Sequence, residues 1–174
     1  MRFSLRLTAL SLTLAATGQL AMAKSSSEWQ LLVAQSKLSL SQAVEQATQA
    51  VPGTVIDAAL DDDEHQAPRY ELEIITATGN RIEVQVDAVS GLTVQQPDGK
   101  AKSKDMERLK AAKIGLQQAI EAATAHTPGT AIAAELDQHW GTISYQVNVL
   151  QADGQLMEVK VNAANAQVLR SKRD

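Results

Sequence analysis

Between Leu40 and Val51 apolar residues recur at steps of three and four: Leu40, Ala43, Val44, Ala47 and Val51. That spacing places them on one stripe of a helix, which Ser39 or Ser41 is positioned to cap and Pro52-Gly53 to end. A short apolar run, Thr54 to Leu60, comes next. The period then changes to two. Tyr70, Leu72 and Ile74 alternate with Glu71 and Glu73; after a Thr78-Gly79-Asn80 turn, Ile82, Val84 and Val86 alternate with Glu83, Gln85 and Asp87. Such alternation marks half-buried strands. The whole order is then written again, from Leu116, Ala119, Ile120 and Ala123 through Pro128-Gly129 to Tyr145, Val147 and Val149, an Asp153-Gly154 turn, and Met157, Val159 and Val161. The pattern predicts an α+β fold of two tandem small units, each one helix packed on a three-stranded antiparallel sheet.

The copies match residue by residue. Leu40, Ala43, Glu45, Ala47, Thr48, Pro52, Gly53, Thr54, Ile56 and Leu60 each meet an identical residue 76 positions later. One residue is lost in the next loop, and Tyr70, Gly79, Glu83, Val84 and Val86 meet their copies 75 positions on. This is a tandem duplication. The expected organisation is a lead-in helix at 24–37, unit 1 at 38–95, a basic and partly helical connector at 96–113, and unit 2 with a basic tail at 114–174.

Residues 1–23 read differently. Arg2 and Arg6 precede an apolar run, and Ala21-Met22-Ala23 is a small-x-small cleavage site, so a secretory signal peptide cut between Ala23 and Lys24 is expected. The run is too short for a span of roughly 20 apolar residues, and with no cysteine in the chain it has no lipid attachment point. A periplasmic or secreted protein is expected. Aromatic residues make up 3% of the chain against 44% apolar, so the core must be aliphatic. Without cysteine there are no disulfides, thiol nucleophiles or thiolate metal sites. Loss of Arg2 and Arg6 would take the net charge from −4 to −6, which disfavours nonspecific binding to nucleic acid or anionic lipid.

In each unit Leu opens an x-x-Ala-apolar-x-x-Ala helix; Pro-Gly, a Tyr-x-apolar-x-apolar strand, a Gly turn and a closing apolar-x-Val strand follow. Unit 1 closes with VQVDAVSGLTV and unit 2 with VKVNAANAQVL, where Asn162 and Ala166 replace Asp87 and Gly91. This run resembles the PepSY domain over nearly all of 38–169 apart from the connector. The family occurs in propeptides of thermolysin-like metallopeptidases and in many exported bacterial proteins, and the resemblance implies inhibition or regulation of peptidases.

Catalytic frames are not evident: the sequence has no HExxH, P-loop, dinucleotide fingerprint or nucleophile elbow. No cofactor and no enzymatic activity are expected. Asp63 with His65, and Asp137 with His139, are weak metal-ligand candidates in equivalent acidic loops, better read as solvated loop tips. Trp140, beside His139, is expected to lid its hairpin, with an exposed contact role as the alternative. Charge is uneven. Residues 38–95 carry ten acids and two bases, 114–169 five acids and one base, and 96–113 six bases and three acids. Glu71, Glu73, Glu83 and Asp87 form the polar face of the first hairpin and are the expected contact surface for a basic partner. Ile75 and Leu150 have outward parity and are placed for an interdomain or homodimer contact.

Three functions fit. The leading one is a non-catalytic envelope module that binds a polypeptide such as a peptidase. The others are a periplasmic sensor of metal or a small ligand, and a purely structural module. No nucleic acid and no membrane span after signal cleavage are expected.

Overall fold

The computed structural model describes residues 24–62 and 67–174. The expected signal peptide with Ala23, and the loop containing Asp63 and His65, lie outside the described residues. Among the described residues there are four helices and eight strands: α1 Ser26–Gln35, α2 Leu40–Ala50, β1 Thr54–Asp62, β2 Pro68–Ile75, β3 Asn80–Asp87, β4 Thr93–Lys100, α3 Ser103–Ala111, α4 Leu116–His126, β5 Thr130–His139, β6 Thr142–Leu150, β7 Leu156–Asn162 and β8 Val168–Arg173.

The helices begin where local chemistry dictates. Ser39 caps α2 by accepting from the Gln42 N–H at 3.3 Å, while Gln42 Oε1 accepts from the Ser39 N–H at 2.8 Å. In the second copy Gly115 holds the cap position, and only the return bond from its N–H to Gln118 Oε1 remains, at 3.1 Å. The helix ends are fixed by close approach. A Cβ at Gly53 would sit 2.7 Å from the Ile75 carbonyl oxygen, and one at Gly129 would sit 2.5 Å from that of Leu150. Glycine is therefore required where each helix hands over to its first strand.

Two three-stranded sheets are not what forms. All eight strands join one antiparallel sheet in the order β4-β3-β2-β1-β5-β6-β7-β8. Each unit adds a fourth strand, β4 or β8, which lies at a sheet edge and is mostly exposed. An edge strand with little to bury carries no clear alternation, so β4 runs unannounced into the segment expected as connector. The units join through β1 and β5, with Asp57 opposite Glu135, Ala58 opposite Ala134 and Ala59 opposite Ala133. Ala134 is the copy of Ala58, so a pseudo-twofold axis passes through that pair. The join is self-complementary, as in a symmetric dimer, but made within one chain. It also removes the unpaired edge that β1 would otherwise present.

Helices α2 and α4 cover one face, and a single core spans both units. It is aliphatic apart from Tyr70 and Tyr145, whose hydroxyls donate to the carbonyls of Leu38 at 2.7 Å and Ile114 at 2.9 Å. Desolvation pushes both phenols up to about 12. The lead-in helices tie the units together. After α1, the Lys37 and Leu38 N–H groups bond the Ala88 carbonyl in unit 1, while Gln30 packs beside Gly154 in unit 2. Correspondingly, Lys113 and Ile114 bond the Ala163 carbonyl, while the Ala101 N–H bonds the Gly79 carbonyl in unit 1. Ile75 and Leu150, expected to point outward, are 3% and 5% exposed, so neither offers a dimer contact.

Candidate functional site

With α2 and α4 on one face, strand periodicity sends the polar residues to the other. Strand register orders them into rows. One row runs Gln96, Glu83, Glu73, Asp57, Glu135, Gln146, Lys160 and Arg170 from β4 to β8. Its acidic half belongs to unit 1 and crosses the pseudo-axis; its basic half belongs to the outer strands of unit 2. The next row is Val94, Gln85, Glu71, Ala59, Ala133, Asn148, Glu158 and Lys172. Small residues at its centre leave hollows: ≈ 250 Å³ between Asp57, Ala59, Ala133, Glu135 and Asn148, and ≈ 190 Å³ between Asp57, Ala59, Glu71, Glu73 and Glu83.

Of the three central carboxyl residues, Asp57 and Glu135 are exposed and Glu73 is half-buried. Desolvation is the largest cause that raises Asp57, Glu73 and Glu135 above their ordinary values. Mutual repulsion adds to it, since Asp57 raises both Glu73 and Glu135. Arg81 opposes the rise at Asp57 and Glu73, and Arg108 and Lys160 oppose it at Glu135. Asp57 and Glu135 were not singled out from the sequence. Their importance depends on β1 meeting β5, which no local pattern announces.

The expected contact residues divide. Glu71 pairs with Arg69 at 2.7 Å and Glu73 with Arg81 at 2.6 Å, and Arg81 also holds Asp98 at 2.7 Å. The first unit's acidic face is thus partly neutralised by its own arginines. Glu83 stays on the open row and accepts from Gln85 at 3.2 Å. Asp87 serves a turn: its carboxylate accepts from the Val89 N–H at 3.0 Å, the Ser90 N–H at 2.6 Å and the Ser90 hydroxyl at 2.8 Å. The Ser90 bonds hold its carboxyl below the usual range.

Trp140 does not lid its hairpin. With Gly141 it forms the two-residue β5–β6 turn, both at positive φ (50° and 80°), and it is 92% exposed. Its ring meets His139 edge-on, with centroids 5.9 Å apart. Asp137 faces Arg108 at 3.6 Å. No group of three or more His, Asp or Glu placed to hold a metal occurs among the described residues. Lys24, expected to begin the mature chain, has its ammonium against Asp61 and Asp62, at 2.5 and 2.8 Å, and over the Trp29 ring. No helix among the described residues is long and apolar enough to cross a membrane.

Two solved structures align with this chain. One is CD1622 of Clostridium difficile 630, described as a lipoprotein candidate, with TM-score 0.46 and 19% identity over 80% of this chain and 95% of that one. The other is the YpmB protein from Bacillus subtilis, with TM-score 0.36 and 13% identity over 76% of this chain and 94% of that one. No curated protein matches the sequence. The family model for the peptidase propeptide and YPEB domain matches residues 37–91 and again 113–172, one match on each copy, with β4 beyond the end of the first. The chain therefore belongs to the PepSY family, with two PepSY domains fused through their first strands into one sheet.

Proposed function

We propose that this protein is a non-catalytic binding module of the bacterial envelope, exported through residues 1–23, which engages a polypeptide such as a peptidase across its open sheet face and regulates it. One observation carries the reading. Strand register sets Glu83, Glu73, Asp57 and Glu135 side by side as one row of carboxyls across unit 1 and the pseudo-axis, where desolvation and repulsion from Asp57 raise Glu73 and Glu135. A basic segment laid across them would relieve that repulsion. The face also provides hollows beside small residues rather than a deep pocket, which suits an extended chain more than a small molecule.

The test uses a partner captured from an envelope fraction and then purified. Glu71→Lys/Glu83→Lys is compared with Gln146→Lys/Asn148→Lys, each across a salt series. Glu73 is left in place because it holds Arg81. The first pair is expected to lose about tenfold or more in affinity and the second much less, with wild-type binding weakening as salt rises. Equal losses from the two pairs, or binding indifferent to salt, would refute the reading.

A further inference from the structure

The two copies differ at the far end of the open face. Unit 2 pairs Lys160 with Arg170 and Glu158 with Lys172, whereas the same register positions in unit 1 hold Gln85 with Val94 and Glu83 with Gln96. Glu158 is buried and bound to Lys172 at 3.1 Å. Neither Lys160 nor Arg170 forms an ion pair among the described residues. These bases line a groove of ≈ 470 Å³ that also takes in Trp140 and Leu169. Both apolar side chains are exposed, by 92% and 46%.

Trp140 is out of place on stability grounds alone. A bulky residue at φ 50° occupies a conformation that favours Gly or Asn, and its ring gains little burial in return. A backbone outlier held at a surface tip points toward a use for the side chain. The neighbouring groove supplies that use.

We infer that this groove is a second docking site, selective for an acidic, extended polypeptide segment that carries acidic and apolar side chains on the same face. The inference rests on the reading that the open face binds polypeptide, and adds that its two halves take segments of opposite charge. Carboxylates of the segment meet Lys160 and Arg170, while its apolar side chains cover Trp140 and Leu169. In an extended segment residues i and i+2 share a face, so an acidic side chain and the apolar one two positions on reach the bases and Trp140 together. An anionic membrane would also attract Lys, Arg and Trp. The same face, however, continues into Glu135, Asp57, Glu73 and Glu83, which a membrane would repel.

The probes are short labelled peptides of Glu-Glu-Leu-Leu repeats, which put Glu and Leu in turn on each face of an extended chain, with Lys/Leu and Gln/Leu counterparts, and vesicles of anionic phospholipid. Trp29→Phe leaves Trp140 as the sole indole reporter. The Glu/Leu peptide is expected to bind about tenfold or more tightly than the Gln/Leu peptide and to shift Trp140 emission to the blue. Lys160→Glu/Arg170→Glu should reverse the preference towards the Lys/Leu peptide. Trp140→Asn, which suits the turn, should keep or raise the melting temperature while weakening binding by about tenfold or more. Gln85→Glu/Gln96→Glu in unit 1 should leave Glu/Leu binding unchanged. Equal binding of the three peptides, an unaffected Trp140→Asn variant, or binding to vesicles without peptide selectivity would overturn the site. Loss of the captured partner by unit 1 variants is read separately, so either proposal can fail without the other.

Discussion

Position 166 shows what the duplication changed and what it kept. The turn after β3 and the turn after β7 have the same bonds: Gly91 donates to the Asp87 carbonyl at 2.9 Å, and Ala166 to the Asn162 carbonyl at 3.0 Å. Asn162 also takes over the side-chain role, accepting from the Ala164 N–H at 2.8 Å. What differs is strain, because Ala166 sits at φ 62° where unit 1 has glycine at φ 76°. An L-residue with a Cβ loses about 1–2 kcal/mol in that region, and part of the relief on going to glycine is offset by a freer unfolded chain. Ala166→Gly is therefore expected to stabilise the protein by about 0.5–1 kcal/mol, and Gly91→Ala to destabilise it by about 1 kcal/mol or more. The Cβ of the latter would also meet Gln46 Oε1 at 2.7 Å. Denaturant unfolding of both variants checks the pair, and opposite signs are required.

At the scale of elements, the helix starts differ more than their bodies. Ser39 and Gly115 occupy the same cap conformation, at φ/ψ of −81°/164° and −89°/168°. Only the serine side chain can accept the orphan N–H of its first turn. Ser39→Ala should cost about 1 kcal/mol. Gly115→Ser should gain about 0.5–1 kcal/mol, since a Cβ there meets nothing within 4 Å and glycine is freer when unfolded. Urea melts of the two variants, alone and combined, would show nearly additive effects if the caps act independently.

Across the whole molecule, fusing the units put carboxyls from both copies together, and stability should follow pH accordingly. An acid whose folded pKa is raised is protonated more readily in the folded state. Asp57, Glu73 and Glu135 therefore work against folding at neutral pH, and their contribution improves as pH falls through the raised values towards the ordinary ones of 3.8 for Asp and 4.5 for Glu. Asp61 and Asp87 behave oppositely. Burial alone would raise Asp61, but the Lys24 ion pair prevails and holds it low; the Ser90 bonds hold Asp87 low. Their stabilisation is present above 3.8 and is lost as pH falls through the lowered values. Melting temperature is expected to rise on acidification from neutral pH and to turn down once Asp61 and Asp87 protonate. Asp57→Asn/Glu135→Gln should melt higher than wild type at neutral pH and show a flatter rise. A double variant less stable at neutral pH, with an unchanged profile, would contradict this account.

Sequence alone determined every feature set by neighbours along the chain. The apolar stripe from Leu40 to Val51, the alternation from Tyr70 to Val86 and the offset copies of both fix the helices, the hairpins and the duplication, because side-chain period and backbone period must agree. It also determined the family. Tertiary structure decided how the copies meet. Ala58 and Ala134 are unremarkable in the sequence, and the backbone groups that join β1 to β5 have no side-chain signature, so one sheet looks like two on paper. The edge strands β4 and β8 were hidden for a related reason: with one side unpaired and little to bury, polar sequences such as Gln95-Gln96 carry no alternation. The open face was hidden with them. Which carboxyls crowd at the centre depends on residues distant in sequence, Asp57 and Glu135, brought together by the shared sheet.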